Sequence, residues 1–135
     1  MLIRDFYKKI IGNQEDNTIT CSIKLNPDHQ VYKGHFPQQA VVPGVIQLQI
    51  AKELLEENLK LKLLMNDIIQ VKYLRPIIPN QETIIKFEIT IKEQNASDIK
   101  TNVNIGSEDT IFTKAKISFK INNYIIIKFK DMKFK

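Results

Sequence analysis

The residues best suited to chemistry lie in the stretch 34–49, which contains His35, one of only two histidines in the chain. Further along this stretch, Pro43 and Gly44 open into an apolar, helix-compatible run. Proline fits the first turn of a helix because its missing N–H would be unpaired there. The same turn leaves backbone N–H groups free to point at an electron-rich ligand. The stretch therefore predicts a histidine near a helix end that can bind a developing oxyanion.

The length and composition limit the class of protein to which the chain can belong. The 135 residues predict a single domain spanning 1–135, and 43% hydrophobic and 26% charged residues are typical of a soluble globular chain. No run approaches the roughly 18 apolar residues of a membrane span, and the first residues lack the apolar core of a secretory signal. We therefore expect a cytoplasmic protein with no membrane span.

The cysteine count and the net charge argue against disulfide-bonded, zinc-binding and nucleic-acid-binding proteins. The single cysteine, Cys21, cannot form an internal disulfide, and no Cys/His cluster has zinc-ligand spacing, so we expect no metal. Cys21 is interpreted as a small residue in an apolar strand. The net charge of +5 includes only two arginines, a weak signal for nucleic acid, which we do not expect as a partner. The charge suits an acidic protein partner or simply reflects scattered solvated lysines.

One helix and several strands are predicted to position the stretch 34–49. Residues 45–59 are apolar almost all round in their first half, which is typical of a helix buried on most sides, and Gln47 and Gln49 stand out there. Residues 18–25 alternate with period two and predict a half-buried strand. Further strands are predicted over 68–78, 83–91, 98–105, 110–120 and 124–130, with a hairpin-like turn at 106–109.

Two regions carry weaker patterns. Residues 2–12 have apolar side chains at helical spacing and predict a short helix or turn, followed by a polar loop over 13–17. Pro76 and Pro79 indicate that strand 68–78 is an edge or bulged strand, or that it ends where they begin. The sum is an α+β domain in which a long central helix is wrapped by a mostly antiparallel β-sheet.

Two motifs carry a family resemblance. The first runs His35-Phe36-Pro37, then Val41-Val42-Pro43-Gly44-Val45, and its register ends at Gln49; the second runs Lys72-Tyr73-Leu74-Arg75-Pro76-Ile77-Ile78-Pro79-Asn80-Gln81. Together they resemble the β-hydroxyacyl-acyl-carrier-protein dehydratases, which have the hotdog fold. The resemblance covers about residues 18–120 and leaves 121–135 as an extra C-terminal segment. Asn80-Gln81, where the family has Gly-Asp, indicates a divergent branch.

The resemblance implies roles for named residues. It makes His35 the base and the backbone N–H of Gly44 the donor to the thioester oxygen, and it places Gln49 where the family has Glu or Asp. It implies a substrate tunnel lined by Phe36, Val42, Pro43 and Val45, with Lys72 and Arg75 as candidate contacts for an acidic acyl carrier protein. The family implies no cofactor, because the substrate arrives on the carrier's phosphopantetheine. It also implies a shared-site homodimer, a trimer of dimers, or a hetero-oligomer with a more orthodox dehydratase.

Gln49 is the departure that matters for chemistry. Dehydrating a 3-hydroxyacyl thioester needs a base at C2, an acid for the leaving hydroxyl and donors to the thioester oxygen. Imidazole suits the base because its ordinary pKa lies near neutrality. An amide forms hydrogen bonds but cannot deliver a net proton. Glu53, the nearest carboxylate on that helical face, lies about 6 Å further along the axis, and we predict that this is too far to substitute.

Three functions remain open from the sequence. The first is dehydration of 3-hydroxyacyl thioesters on acyl carrier protein to trans-2-enoyl thioesters, in fatty-acid or polyketide-like biosynthesis, with Gln49 orienting the substrate. The second is a hotdog acyl thioesterase in which Gln49 orients a hydrolytic water. The third is a non-catalytic subunit that binds acyl carrier protein and pairs with another dehydratase.

Overall fold

The computed structural model describes residues 5–34, 40–80 and 83–122. The strands are Tyr7–Glu15 (β1), Thr18–Leu25 (β2), Leu63–Tyr73 (β3), Ile84–Gln94 (β4), Asp98–Ser107 (β5) and Thr110–Ile121 (β6), and the helices are Val31–Gly34 (α1) and Gly44–Leu59 (α2). They form one six-stranded sheet in the order β1-β2-β4-β5-β6-β3. All neighbouring strands in it are antiparallel, which confirms the predicted α+β class.

The core lies between α2 and one face of the sheet. Alternate residues of β2, β4, β5 and β6 are buried, as the period-two patterns predict. Phe87 of β4 and Phe119 of β6 are fully buried in this layer. Cys21 of β2 is also buried, and desolvation raises the pKa of its thiol. Its interpretation as a small residue in an apolar strand is therefore confirmed.

Helix α2 carries three of the predicted site residues, Gly44, Val45 and Gln49. It begins at Gly44 and ends at Leu59, so the predicted helix 45–59 is confirmed with one residue added. Its apolar contacts with the core are made by Leu48, Ile50, Ala51, Leu54 and Leu55, all of which are buried. Lys60 then takes a left-handed conformation (φ 57°), and its N–H bonds the carbonyl of Glu56 at 2.8 Å, which closes the helix. No helix among the described residues is long and apolar enough to cross a membrane.

Strand β3 is an edge of the sheet. Among the described strands it pairs with β6 alone, and its register shifts between Met65 and Asp67 and again between Ile68 and Gln70. It ends at Tyr73, before Pro76. The prediction of a bulged edge strand stopped by proline is confirmed, although the strand begins earlier than the predicted residue 68.

The prediction of a short helix or turn over residues 2–12 is wrong for the described part of this range. Residues 7–15 form strand β1, which pairs with β2 over its whole length and leaves a turn at 16–17 instead of the longer predicted loop. Most of β1 is exposed because it is the second edge of the sheet, so its side chains carry no clear alternation. Backbone pairing with β2, which the local pattern does not encode, decides its structure.

Two further regions depart from prediction or lie outside the described residues. The segment between β2 and the stretch 34–49, for which the sequence patterns above predict no helix, contains the four-residue helix α1. His29 supports its start, because the Nδ1 atom accepts a hydrogen bond of 3.1 Å from the N–H of Val31. The predicted strand 124–130 lies outside the described residues.

Candidate functional site

The site is built around the start of α2. Pro43 occupies the N-cap with φ −57° and ψ 143°, and its carbonyl accepts the N–H groups of Ile46 at 3.1 Å and Gln47 at 3.2 Å. Gly44 is the first helical residue. Its N–H is one of the groups that have no carbonyl partner within a helix. The predicted oxyanion donor is therefore at a helix N-terminus, where the helix dipole favours negative charge.

Tyr73, at the end of β3, covers this helix start. A Cβ atom at position 44 would overlap the ring and hydroxyl of Tyr73. Glycine allows Tyr73 and the helix backbone to approach this closely, and a larger residue would displace the end of the Tyr73 side chain. Burial raises the pKa of the Tyr73 phenol, although the residue remains 50% exposed. Sequence reasoning missed this contact, since nothing in the pattern of strand 68–78 relates Tyr73 to the helix.

Gln47 fixes the start of α2 to the sheet. Its side chain is buried, its Nε2 donates to the carbonyl of Val42 at 3.2 Å, and its Oε1 accepts from the hydroxyl of Thr113 at 2.5 Å. The N–H of Val42 in turn donates to the carbonyl of Ile77 at 2.9 Å. Gln47, one of the two glutamines that stand out in the sequence, therefore holds the helix start against β6 and the 74–80 segment.

Gln49 lies on the other side of α2, in contact with a buried carboxylate. Its Nε2 donates to Oε2 of Glu53 at 2.9 Å, and the hydroxyl of Tyr7 donates to Oε1 of Glu53 at 3.1 Å. Glu53 is only 7% exposed, whereas Gln49 is partly exposed. Burial, followed by the negative charge of Glu53, raises the pKa of Tyr7 above its usual range, so its hydroxyl keeps its proton.

The side chains of Gln49 and Glu53 meet in this contact, while the expectation that Glu53 lies too far along the helix to substitute for an acid at position 49 stays a prediction. The rise along the helix separates their backbones, but both side chains are long and meet at their polar ends. The i, i+4 spacing is the signal that could have predicted it, because residues four apart are neighbours on a helix surface.

The other predicted site residues fall into three groups. His35 and Phe36 lie outside the described residues. Of the predicted tunnel residues, Val42 is buried in the core, Pro43 is half-buried at the helix start and Val45 is 73% exposed. Within one protomer the structure thus places Val42 and Val45 in different environments. The tunnel that they are predicted to share stays a prediction.

Lys72 and Arg75, the predicted carrier-protein contacts, flank Tyr73 in the chain. Both side chains are exposed, and neither forms an ion pair with another described residue. The N–H groups of Leu74 and Arg75 bond the same carbonyl, that of Phe112, at 2.7 and 3.2 Å, which fixes the backbone beyond Tyr73. Two cations are therefore held next to the residue that covers the helix start.

A six-stranded antiparallel sheet packed on one 16-residue helix, with a glycine at the helix start, is the architecture of the hotdog dehydratases and thioesterases. Within this class the chain belongs to the ApeI-like family, described as ApeI dehydratase, whose model matches residues 12–114.

One curated relative is similar over a short segment, and solved structures share the fold. A segment of 39 residues is 38% identical to an uncharacterized thioester dehydrase of Halalkalibacterium halodurans, and it spans 29% of this chain and 25% of that relative. The dehydratase heterocomplex ApeI:P from Xenorhabdus doucetiae has a similar fold, with a TM-score of 0.68, 20% identity and coverage of 84% of this chain and 96% of that one. A thioesterase from Staphylococcus aureus also shares the fold, with a TM-score of 0.62, 12% identity and coverage of 84% and 92%.

Proposed function

We propose that this protein dehydrates 3-hydroxyacyl thioesters carried on an acyl carrier protein and releases trans-2-enoyl thioesters and water. The observation that carries the proposal is Gly44 at the N-terminus of α2, with Gln49 little more than one turn further along, in a chain of the ApeI-like dehydratase family. The phosphopantetheine of the carrier presents the substrate, and the reaction needs no metal or further cofactor. Fatty-acid or polyketide-like biosynthesis in the cytoplasm is the proposed setting.

In the proposed reaction each group has one task. His35 removes the proton from C2, and the N–H of Gly44 stabilises the negative charge that develops on the thioester oxygen. Gln49 orients the 3-hydroxyl group through a hydrogen bond. The imidazolium formed at His35 returns its proton to this hydroxyl as the C3–O bond breaks, so that water leaves and His35 is neutral again. One histidine thereby serves as base and as acid, so dehydration proceeds without a carboxyl group at position 49, although more slowly than with a separate acid.

The proposed assembly pairs the protein through the edge of β3 that no other described strand covers. This edge exposes the side chains of Leu64, Ile68, Ile69, Tyr73 and Leu74. Exposed apolar side chains along an unpaired edge support association with another chain. The partner is a second copy, alone or within a trimer of dimers, or a related dehydratase. The latter arrangement is supported by the ApeI:P dehydratase of Xenorhabdus doucetiae, which is a heterocomplex.

The proposed docking site for the acidic carrier protein is the surface around Lys72 and Arg75. These two cations flank Tyr73, which lies on the helix start that would receive the thioester. Positive charge there steers an acidic partner toward the site.

Two other functions keep specific support. Thioester hydrolysis is favoured by the fold shared with the Staphylococcus aureus thioesterase, and Gln49 would then orient the attacking water. A non-catalytic subunit that binds acyl carrier protein is favoured by the amide at position 49 and by the heterocomplex known from Xenorhabdus doucetiae.

Mass spectrometry of the purified protein with 3-hydroxyacyl carrier proteins of several chain lengths separates these functions. Loss of the mass of one water molecule indicates dehydration, and loss of the acyl chain indicates hydrolysis. Binding without either change indicates a non-catalytic subunit. Dehydration that persists in the His35→Ala variant would contradict the proposed role of His35.

A further inference from the structure

Glu53 is a buried carboxylate that takes no part in the proposed reaction. One of its oxygens accepts a hydrogen bond from the amide of Gln49, and the other accepts one from the hydroxyl of Tyr7. A carboxylate buried to this extent is costly unless hydrogen-bonded partners compensate it. Two elements that are distant in the chain, α2 and β1, contribute to this compensation.

The contact with Glu53 determines which way the Gln49 amide points. An ionised carboxylate accepts hydrogen bonds and donates none, so only the NH₂ group of Gln49 can face it. The C=O and C–N bonds of a planar amide point in different directions within that plane, so the amide oxygen is then directed away from Glu53. A glutamine without such a neighbour can turn its amide either way, and would present a donor or an acceptor with little preference.

Tyr7 holds the carboxylate in this arrangement. Its hydroxyl stays protonated, because burial and the charge of Glu53 both raise its pKa, and it therefore acts as a donor to Oε1 of Glu53. This bond limits rotation of the carboxylate and leaves Oε2 facing Gln49. In the two bonds that link Tyr7, Glu53 and Gln49, the carboxylate is thus the acceptor on both sides.

We propose that Glu53 is a positioning residue, held by Tyr7, that fixes the amide oxygen of Gln49 as a hydrogen-bond acceptor for the bound acyl chain and makes the site select 3-hydroxyacyl over 3-oxoacyl chains. A 3-hydroxyl group donates a hydrogen bond to this oxygen, whereas a 3-oxo group has only acceptors and faces it unfavourably. The inference rests on the proposed function, because it assumes that the acyl chain binds against Gln49.

The test measures binding rather than turnover. Ligands are 3-hydroxyacyl and 3-oxoacyl pantetheine analogues in which an amide replaces the thioester, so that neither hydrolysis nor rapid dehydration occurs. Calorimetry is expected to show that the unaltered protein binds the 3-hydroxyacyl analogue at least about tenfold more tightly than the 3-oxoacyl analogue. This is the effect expected when one hydrogen bond is replaced by two acceptors that face each other. Equal affinity for the two analogues would overturn the proposal.

Glu53→Gln tests the orientation. The new amide can donate or accept, so residue 53 no longer requires the NH₂ group of Gln49 to face it, and the preference for the 3-hydroxyacyl analogue is expected to fall to less than about threefold. Glu57→Gln is the matched control, because it removes the same charge from the same helix at an exposed residue paired with Lys9. The control is expected to keep the full preference.

Tyr7→Phe is the second variant and keeps the proposal testable if Glu53→Gln fails to fold. It removes only the donor to Oε1 and is expected to reduce the preference by part of the Glu53→Gln effect. Some variants will unfold at the same temperature as the unaltered protein. If all of these still prefer the 3-hydroxyacyl analogue, the proposal is overturned. Selectivity that persists in Glu53→Gln while dehydration is lost would also overturn it and would make Glu53 the proton donor.

Failure of the proposed function gives a different pattern. If the protein binds the analogues selectively, and Glu53→Gln removes that selectivity, but no thioester loses water, then the positioning role is supported and the dehydratase function is contradicted. The binding and turnover measurements therefore test the two statements separately.

Discussion

The phenol ring of Tyr73 occupies the space that a side chain at Gly44 would need. This contact joins the end of the β3 edge strand to the N-terminus of α2, and Lys72 and Arg75 lie close to Tyr73 in the chain. The end of this strand and the helix start therefore form one surface. Changes at either of them should affect substrate binding.

Substitution Gly44→Ala tests the contact with Tyr73. The added methyl group overlaps the ring, so Tyr73 must move outward, and we expect a loss of about 1–3 kcal/mol in the free energy of unfolding. In a Tyr73→Ala background the same substitution should cost less, because the space is then vacant. Urea unfolding of the four proteins of this double-mutant cycle measures the difference. Equal costs in both backgrounds would contradict the contact.

The hydrogen bond between Thr113 and Gln47 should matter for stability. Thr113→Val keeps the volume but leaves the buried Oε1 of Gln47 without this donor, so we expect a loss of about 1–3 kcal/mol in the free energy of unfolding. Thr110→Val, at a less buried position on the same strand, is the control and should change stability little. Thermal or urea unfolding gives both values. A neutral Thr113→Val would show that the bond contributes nothing.

A carboxyl group at position 49 should increase dehydration. In Gln49→Glu the new carboxyl lies beside Glu53, and two carboxyl groups this close share a proton, which leaves one of them able to act as an acid. General acid catalysis contributes about 10²–10⁴-fold, and we expect kcat to rise by about 100-fold. Gln94→Glu, at an exposed strand end, controls for the added charge. An unchanged kcat would mean that the site does not lack an acid.

Association through β3 should depend on its exposed apolar side chains. Ile69→Lys places a charge on this edge, where the native side chain is 55% exposed, and should convert the assembly to single chains and remove most of the activity. Ile84→Lys, at a residue 51% exposed on β4, is the matched control. Sedimentation velocity and the dehydration assay measure the two effects. An Ile69→Lys protein that keeps its oligomeric state would place the interface elsewhere.

Lys72 and Arg75 should act on the carrier protein and not on the acyl chain. The double variant Lys72→Glu, Arg75→Glu should raise KM for acyl carrier protein substrates by about tenfold, with a smaller difference at high salt. The rate with a simple pantetheine substrate should stay the same, because it carries no acidic partner surface. The double variant Lys86→Glu, Lys92→Glu, at exposed residues of β4, controls for the same change in net charge. Equal losses with both substrates would assign these residues to the site itself.

Much of the fold follows from local patterns. Apolar periodicity predicts the helix 45–59 and the strands β2, β4, β5 and β6, since each buries one face against the same core. Strand β1 escapes prediction because an edge strand that is exposed on most of its length shows no such periodicity. Its conformation depends on hydrogen bonds to β2, a partner that the residues of β1 do not specify by themselves.

For the candidate site too, some features follow from the sequence and others only from the tertiary structure. The sequence by itself determined where α2 starts, because proline and glycine have local backbone preferences that act without any partner. It also determined that position 49 carries an amide and no acid. Only the tertiary structure decided the tasks of the two glutamines. Residues two apart on a helix point in nearly opposite directions, so packing against Thr113 made Gln47 a structural anchor, and contact with Glu53 and Tyr7 oriented Gln49.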